Sequence, residues 1–277
     1  MRFLRYGERG SEKPGVLDTD GVLRDLSGEI EDLSGAVLGR LDDLPAPDSL
    51  PVVTGDPRIG ACVGDIGKFM CVGLNYSDHA AEAGMTVPPE PILFAKFNSA
   101  ICGPYDPIIQ PRGSTKLDWE VELAVVIGRQ AKYVSEAEAL QYVAGYALAN
   151  DVSERAFQIE RSGQWVKGKS CDNFGPLGPW LVTPGEVGDP QGLGMWLDVN
   201  GQRMQTGNTA TMIFGVAFLI SYLSQLFTLH PGDVICTGTP PGVGMGMTPP
   251  RFLGPGDVVE LGIDGLGQQR QRVIEDR

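Results

Sequence analysis

The chain has 277 residues, of which 42% are hydrophobic and 21% charged, the composition of an ordinary globular protein with room for a sizeable core. A net charge of −13 with no concentrated basic patch argues mildly against nucleic acid and anionic membranes as partners. A small anionic substrate stays within reach, because a bound metal reverses the field around it.

The N-terminus turns polar too early for a signal peptide. The five cysteines are odd in number and hold no C-x-x-C pair, which fits reduced thiols in the cytoplasm better than a disulfide framework or a zinc ribbon. From Gly15 to Leu23 two short apolar runs are joined by Asp20-Gly21, a hairpin signal. A proline-rich stretch, Leu44 to Pro51, then reads as a linker. A boundary falls between 45 and 68, giving a small β-rich module over 1–67 and a larger domain over 68–277. The larger domain is rich in short β-type runs, such as Leu123–Ile127 and Leu197–Val199. Pro231-Gly232-Asp233-Val234-Ile235 and Pro255-Gly256-Asp257-Val258-Val259 repeat one turn-then-strand phrase, as expected of stacked strands in a mixed sheet. Ser135-Glu136-Ala137-Glu138 is a capping-box pattern, with Leu140, Val143 and Ala144 as the buried helix face. The uncharged stretch Thr206–Leu229 carries a polar stripe (Ser221, Ser224, Gln225, Thr228) beside an apolar one (Leu219, Tyr222, Leu223, Leu226). It reads as a mostly buried amphipathic helix, not a membrane span. The fold class is α+β, mostly strand, without the βαβ alternation of a doubly wound sheet.

Asp118-Trp119-Glu120-Val121-Glu122-Leu123 opens a β-branched run, so Glu120 and Glu122 project from one side of a strand. A buried carboxylate pair needs a proton or a cation; the other reading is a solvent-facing edge. Asp151 ends an apolar run, either as an oxygen ligand or as the start of a turn. Three carboxylates without a nearby histidine select Mg²⁺, Mn²⁺ or Ca²⁺ over zinc. His79 stands three residues before Glu82, which makes either an oriented general base or an exposed helical ion pair. Lys169 lies in a Gly-interrupted segment, where it could stabilise an enolate or sit in solvent. Cys171 has no histidine partner in a plausible context, and His230 reads as structural.

In this order the pieces resemble the fumarylacetoacetate hydrolase family over about 68–273. The matching phrases are Gly73-Leu74-Asn75-Tyr76-Ser77-Asp78-His79-Ala80-Ala81-Glu82, Leu93-Phe94-Ala95-Lys96, Asp118 to Leu123, Asn150-Asp151-Val152-Ser153-Glu154-Arg155-Ala156-Phe157-Gln158, Lys169-Ser170-Cys171-Asp172 and Thr237-Gly238-Thr239-Pro240-Pro241-Gly242. The resemblance implies a mixed β-sandwich roll with a small N-terminal domain, working as a homodimer with Mg²⁺ or Mn²⁺. Glu120, Glu122 and Asp151 match the metal ligands, His79 and Glu82 the dyad that activates water, and Lys169 the active-site lysine. Tyr76, Lys96, Arg155, Gln158 and Thr239 match substrate-binding positions. Including the N-terminal module and Gln164-Trp165-Val166-Lys167-Gly168-Lys169-Ser170, the chain is most similar to bacterial hydrolases of 2,4-diketo-3-deoxy sugar acids. These release pyruvate and a hydroxy acid. Oxaloacetate decarboxylation, then ureidoglycolate cleavage, and also sugar-acid dehydration are alternatives that the resemblance leaves open.

Overall fold

A computed structural model describes residues 1–78 and 86–276. Its centre is the strand Val121–Ile127, every residue of which is buried. Alternation sends its two faces into different cores. Val121, Leu123, Val125 and Ile127 join the larger core, with Tyr146 and Leu148 from the neighbouring strand and Leu197, Val259 and Leu261 from the second sheet. Ala124 and Val126 point the other way, with Ala147 and Ala149, under Phe3, Val16, Leu26 and Leu33. Small residues on that face let the N-terminal segment approach closely.

The described residues form a nine-stranded sheet in the order Leu23–Asp25, Lys13–Leu17, Arg2–Tyr6, Leu181–Val182, Val143–Asn150, Val121–Ile127, Val234–Cys236, Phe69–Gly73, Ile92–Lys96. A five-stranded sheet runs Gln202–Asn208, Gly194–Val199, Val258–Ile263, Gly267–Glu275, Ile108–Gln110. Two two-stranded sheets complete the described strands, so the molecule is mostly β, with two large mixed sheets and few helices, the fold class read from the sequence. The hairpin forms where Asp20-Gly21 placed it. Leu17 pairs with Leu23, and Asp18 holds the turn by accepting from the amides of Asp20 (3.0 Å) and Val22 (2.8 Å). Arg2 pairs with Val182, so strands from residues 1–67 extend the main sheet.

Three local expectations need correction. Ser135 to Glu138 starts no α-helix but a 3-10 turn, Glu136–Tyr142, with Ser135 Oγ bonded to Glu138 Oε2 at 2.6 Å instead of to a backbone amide. Its buried residue is Ala139, while Leu140 is exposed and Val143 already belongs to the next strand. The two Pro-Gly-Asp phrases lie in different sheets: Val234–Cys236 in the larger, Val258–Ile263 in the smaller. They share only turn chemistry, since Asp233 accepts from His230 N and Asp257 from Gly254 N. The uncharged stretch divides into the end of a strand, a short turn and the helix Val216–Leu226. Leu219 and Leu223 are buried as expected, but Ser224 is buried too, its hydroxyl accepting from Val134 N, and Leu226 is exposed. No helix among the described residues is long and apolar enough to cross a membrane.

Candidate active site

The carboxylates meet because of strand register. Val121–Ile127 pairs antiparallel with Val143–Asn150, Ala149 opposite Glu122. Past the last pair, the amide of Asp151 donates to the carbonyl of Glu120 at 2.9 Å. Residues directly opposed across an antiparallel pair share a face. Glu122, Ala149, Glu120 and Asp151 therefore look the same way, and the methyl of Ala149 leaves the space between the acids open. One oxygen from each of Glu120, Glu122 and Asp151 lies within 4.8 Å of the others. All three residues are buried, which removes the solvent-facing reading of the pair.

Cations bind the cluster from two sides. Lys169 Nζ is 2.8 Å from Glu120 Oε2 and 2.8 Å from Asp151 Oδ2. Arg155 spans two acids, Nε donating to Asp118 Oδ2 at 2.8 Å and Nη2 reaching Glu120 Oε1 at 2.6 Å. Burial alone would raise the Glu120 pKa, yet Lys169 and Arg155 overcome it and hold the group down to about 2. Glu122 goes the other way. Burial, then the charges of Asp151 and Glu120, push it well above the usual 4.5, and it accepts from the amide of Gly238 at 2.8 Å. Burial works against the charge on Lys169, but Asp151 and Glu120 raise its pKa, so it remains a cation.

This arrangement fits a divalent metal ion. The donors are all carboxylate oxygens, which suit a hard cation. One of them, Glu122, is disfavoured as an anion until further positive charge arrives. Asp151 Oδ1 lies 2.5 Å from Lys96 Nζ, yet no donor among the described residues meets it in hydrogen-bonding alignment.

Glu120 and Glu122 lie at the floor of a cleft of about 310 Å³. Gln158, Thr239, Arg155 and Lys169 also line it, and apolar side chains, among them Phe94, Trp165 and Met245, form the walls. Arg155 and Gln158 flank the start of one irregular helical turn, where Arg155 Nη1 donates to Gln158 Oε1 at 3.1 Å. Lys169 ends the short helix Val166–Lys169. That helix needs Gly168, because a Cβ there would lie 2.3 Å from Glu154 O and 2.5 Å from Gln158 N. Thr239 lies at the cleft with its hydroxyl engaged, donating to Val121 O (2.9 Å) and accepting from Gln205 Nε2 (2.8 Å).

Two of the expected substrate contacts are placed elsewhere. Tyr76 is fully buried and absent from the cleft walls, its hydroxyl 3.2 Å from Met195 Sδ. Lys96 lies behind Asp151, donating to Val152 O at 3.0 Å and to Lys169 O, so it ties the two site segments together. His79 and Glu82 lie outside the described residues. Asp118 was quoted in a motif but given no role. It is fully buried, accepts from the amides of Gly244 (2.7 Å) and Met245 (3.1 Å), and orients Arg155. Its only sequence signal was its place two residues before Glu120. The five cysteines are free thiols, and burial raises the pKa of Cys171 to about 11, which leaves it unreactive.

The model of the fumarylacetoacetate (FAA) hydrolase C-terminal family matches residues 68–274. A relative in Burkholderia lata, described provisionally and only as a hydrolase, is 61% identical over all of both chains. Among solved structures, a fumarylacetoacetate hydrolase from Exiguobacterium antarcticum aligns over all of both chains with a TM-score of 0.90 and 35% identity. A 2-hydroxyhepta-2,4-diene-1,7-dioate isomerase from Mycobacterium marinum covers 100% of this chain and 99% of its own, with a TM-score of 0.78 and 32% identity. Maleylpyruvate hydrolase from Sphingobium, solved with manganese(II) and pyruvate, covers all of both chains with a TM-score of 0.82 and 27% identity.

Proposed function

The chain belongs to the fumarylacetoacetate hydrolase family, and from that premise we propose that it hydrolyses the C3–C4 bond of a 2,4-diketo acid, releasing pyruvate. The observation that carries the reading is the buried triad Glu120, Glu122 and Asp151, with the permanent cations Lys169 and Arg155 beside it. The related hydrolase holding manganese and pyruvate supports it. Within this class, the sequence resemblance favours 2,4-diketo-3-deoxy sugar acids.

Glu120, Glu122 and Asp151 would hold the metal ion, Mg²⁺ or Mn²⁺. Once bound, the ion supplies Lewis-acid stabilisation of negative charge on substrate oxygens and relieves the repulsion among the three carboxylates. The chain's own residues do the rest. Arg155 and Lys169 set fixed positive charge where the substrate carboxylate and the developing enolate lie. Lys169 acts as a charge, not a base, because its acidic neighbours keep it protonated. His79, oriented by Glu82, takes a proton from a water whose oxygen bonds to C4. The C3–C4 electron pair passes to the pyruvate half as its enolate, and the proton is delivered to C3. The second product is the carboxylic acid derived from C4 and its tail. The homodimer and the cytoplasmic setting belong to the same proposal, and light scattering tests the first.

Pyruvate release from a panel of 2,4-diketo acids, oxaloacetate and ureidoglycolate, with and without chelator, tests the assignment. Chelator-sensitive pyruvate release from diketo acids, lost in His79→Ala with Mn²⁺ affinity retained, is expected. Turnover of oxaloacetate alone would replace hydrolysis by decarboxylation, which makes the same enolate without attacking water. Conversion of a dienoate without pyruvate release would make the protein an isomerase.

A further inference from the structure

The cleft has two unlike halves. Its floor is charged, and every cation there is already matched: Arg155 by Asp118 and Glu120, Lys169 by Glu120 and Asp151. Its wall is Val72, Ile92, Phe94, Trp165, Val243 and Met245. Trp165 is seated against Gly73, where a Cβ would lie 2.6 Å from its ring, and meets Phe94 edge to face at 5.4 Å between centroids. Glycine at 73 thus makes the space in which the indole can stand over the cleft.

We propose that Trp165, held by Gly73 and Phe94, makes this wall a reader of neutral hydrocarbon tails, so that the preferred substrate is an acylpyruvate with an alkyl or aryl acyl group. The inference rests on the hydrolytic reading above and narrows it away from sugar acids. Two further observations support it. A polyhydroxylated tail would leave its hydroxyls against carbon, and burying a hydroxyl without a partner is unfavourable. Among the polar groups lining the cleft, the Thr239 hydroxyl is committed to Val121 O and Gln205, and the Gln158 carbonyl oxygen to Arg155. A second carboxylate fares no better. The cations among the described cleft residues are Arg155 and Lys169, and each is already bonded to two acids. The sequence from 69 to 95, which includes the wall residues Val72, Ile92 and Phe94, contains no lysine or arginine to meet another.

The test is a substrate series on the Mg²⁺-loaded enzyme. It comprises acylpyruvates with unbranched tails of increasing length, benzoylpyruvate, a 2,4-diketo-3-deoxy sugar acid and fumarylpyruvate. We expect kcat/KM to rise about fourfold per methylene, the worth of burying one, and to exceed that for hydroxylated or dicarboxylic tails of equal length. Trp165→Ala, and independently Gly73→Ala, which displaces the ring, should flatten the series. Higher kcat/KM for the sugar acid or fumarylpyruvate overturns the inference and leaves the hydrolytic reading standing. A separate arm measures binding of inert 2-oxo acids by calorimetry. If no diketo acid is cleaved, the hydrolytic reading fails. Stronger binding of 2-oxohexanoate than of 2-oxoglutarate then still supports the tail preference, and the reverse order overturns it.

Discussion

Asp151 and Glu120 are tied twice: the Asp151 amide donates to the Glu120 carbonyl at 2.9 Å, and Lys169 Nζ lies 2.8 Å from a carboxylate oxygen of each. Glu122, on the same face, accepts instead from the amide of Gly238, and burial with the charges of Asp151 and Glu120 outweighs the pull of Lys169 and raises its pKa. The three acids therefore differ in what each does for the protein without metal.

Asp151→Asn should destabilise the metal-free protein by about 3–5 kcal/mol, because it removes a buried counter-charge from both Lys96 and Lys169. Glu122→Gln should cost little or nothing at neutral pH, since it replaces an acid whose charge burial already disfavours. Both should weaken Mn²⁺ binding at least about tenfold. Denaturant melts and calorimetry measure the two effects separately. Equal destabilisation by the two variants would refute the distinction.

The pH dependence should split by residue. Glu120 has a folded pKa depressed from 4.5 to about 2, so its stabilisation is complete above 4.5 and is lost as pH falls from there towards 2. Glu122 has a raised folded pKa, so the folded protein holds a proton the unfolded chain has released. Its contribution is greatest below 4.5 and declines as pH rises through the folded pKa. Metal binding must expel that proton, and Mg²⁺ affinity should climb with pH over the same window. Calorimetry in buffers of different ionisation enthalpy counts the protons released. A count of zero just above pH 4.5 would count against a protonated Glu122.

Arg155→Lys keeps the charge but loses the fork. One ammonium cannot reproduce the bonds to Asp118 Oδ2, Glu120 Oε1 and Gln158 Oε1. We expect a loss of about 1.5–3 kcal/mol of stability and a fall in kcat/KM larger than that from Lys116→Arg, an exposed pair. Parallel thermal melts and pyruvate assays would show it; a wild-type Arg155→Lys would mean the fork is dispensable.

Gly168→Ala should disturb the site without touching a charge, because its methyl would press on backbone atoms at 2.3 and 2.5 Å. Gly185→Ala is the control, with nothing within 4 Å of the added carbon. The first is expected to cost about 1–3 kcal/mol and to displace Lys169; the second should melt within about 0.5 kcal/mol of wild type.

Short-range signals were legible in the sequence. Asp20-Gly21 marked its hairpin, and the β-branched run after Glu122 marked the central strand, because turn geometry and pleat depend on a few adjacent residues. The failures were long-range. The two Pro-Gly-Asp phrases carry the same turn code, yet pairing with different strands sent them to different sheets. Tyr76 and Lys96 lie in motif phrases that reach the site, but neighbours distant in sequence decided that Tyr76 packs on Met195 and Lys96 stands behind Asp151.

The sequence by itself determined that Glu120 and Glu122 share one face of a strand, because alternation along the strand sets them there whatever surrounds them. It left open whether that face met water. Tertiary structure decided this by laying residues from both ends of the chain over the sheet. The register with Val143–Asn150 brought Asp151 opposite Glu120, and Gly73, Phe94 and Trp165 closed one side of the cleft. Register and burial depend on contacts among segments far apart in the chain, and no local pattern encodes them.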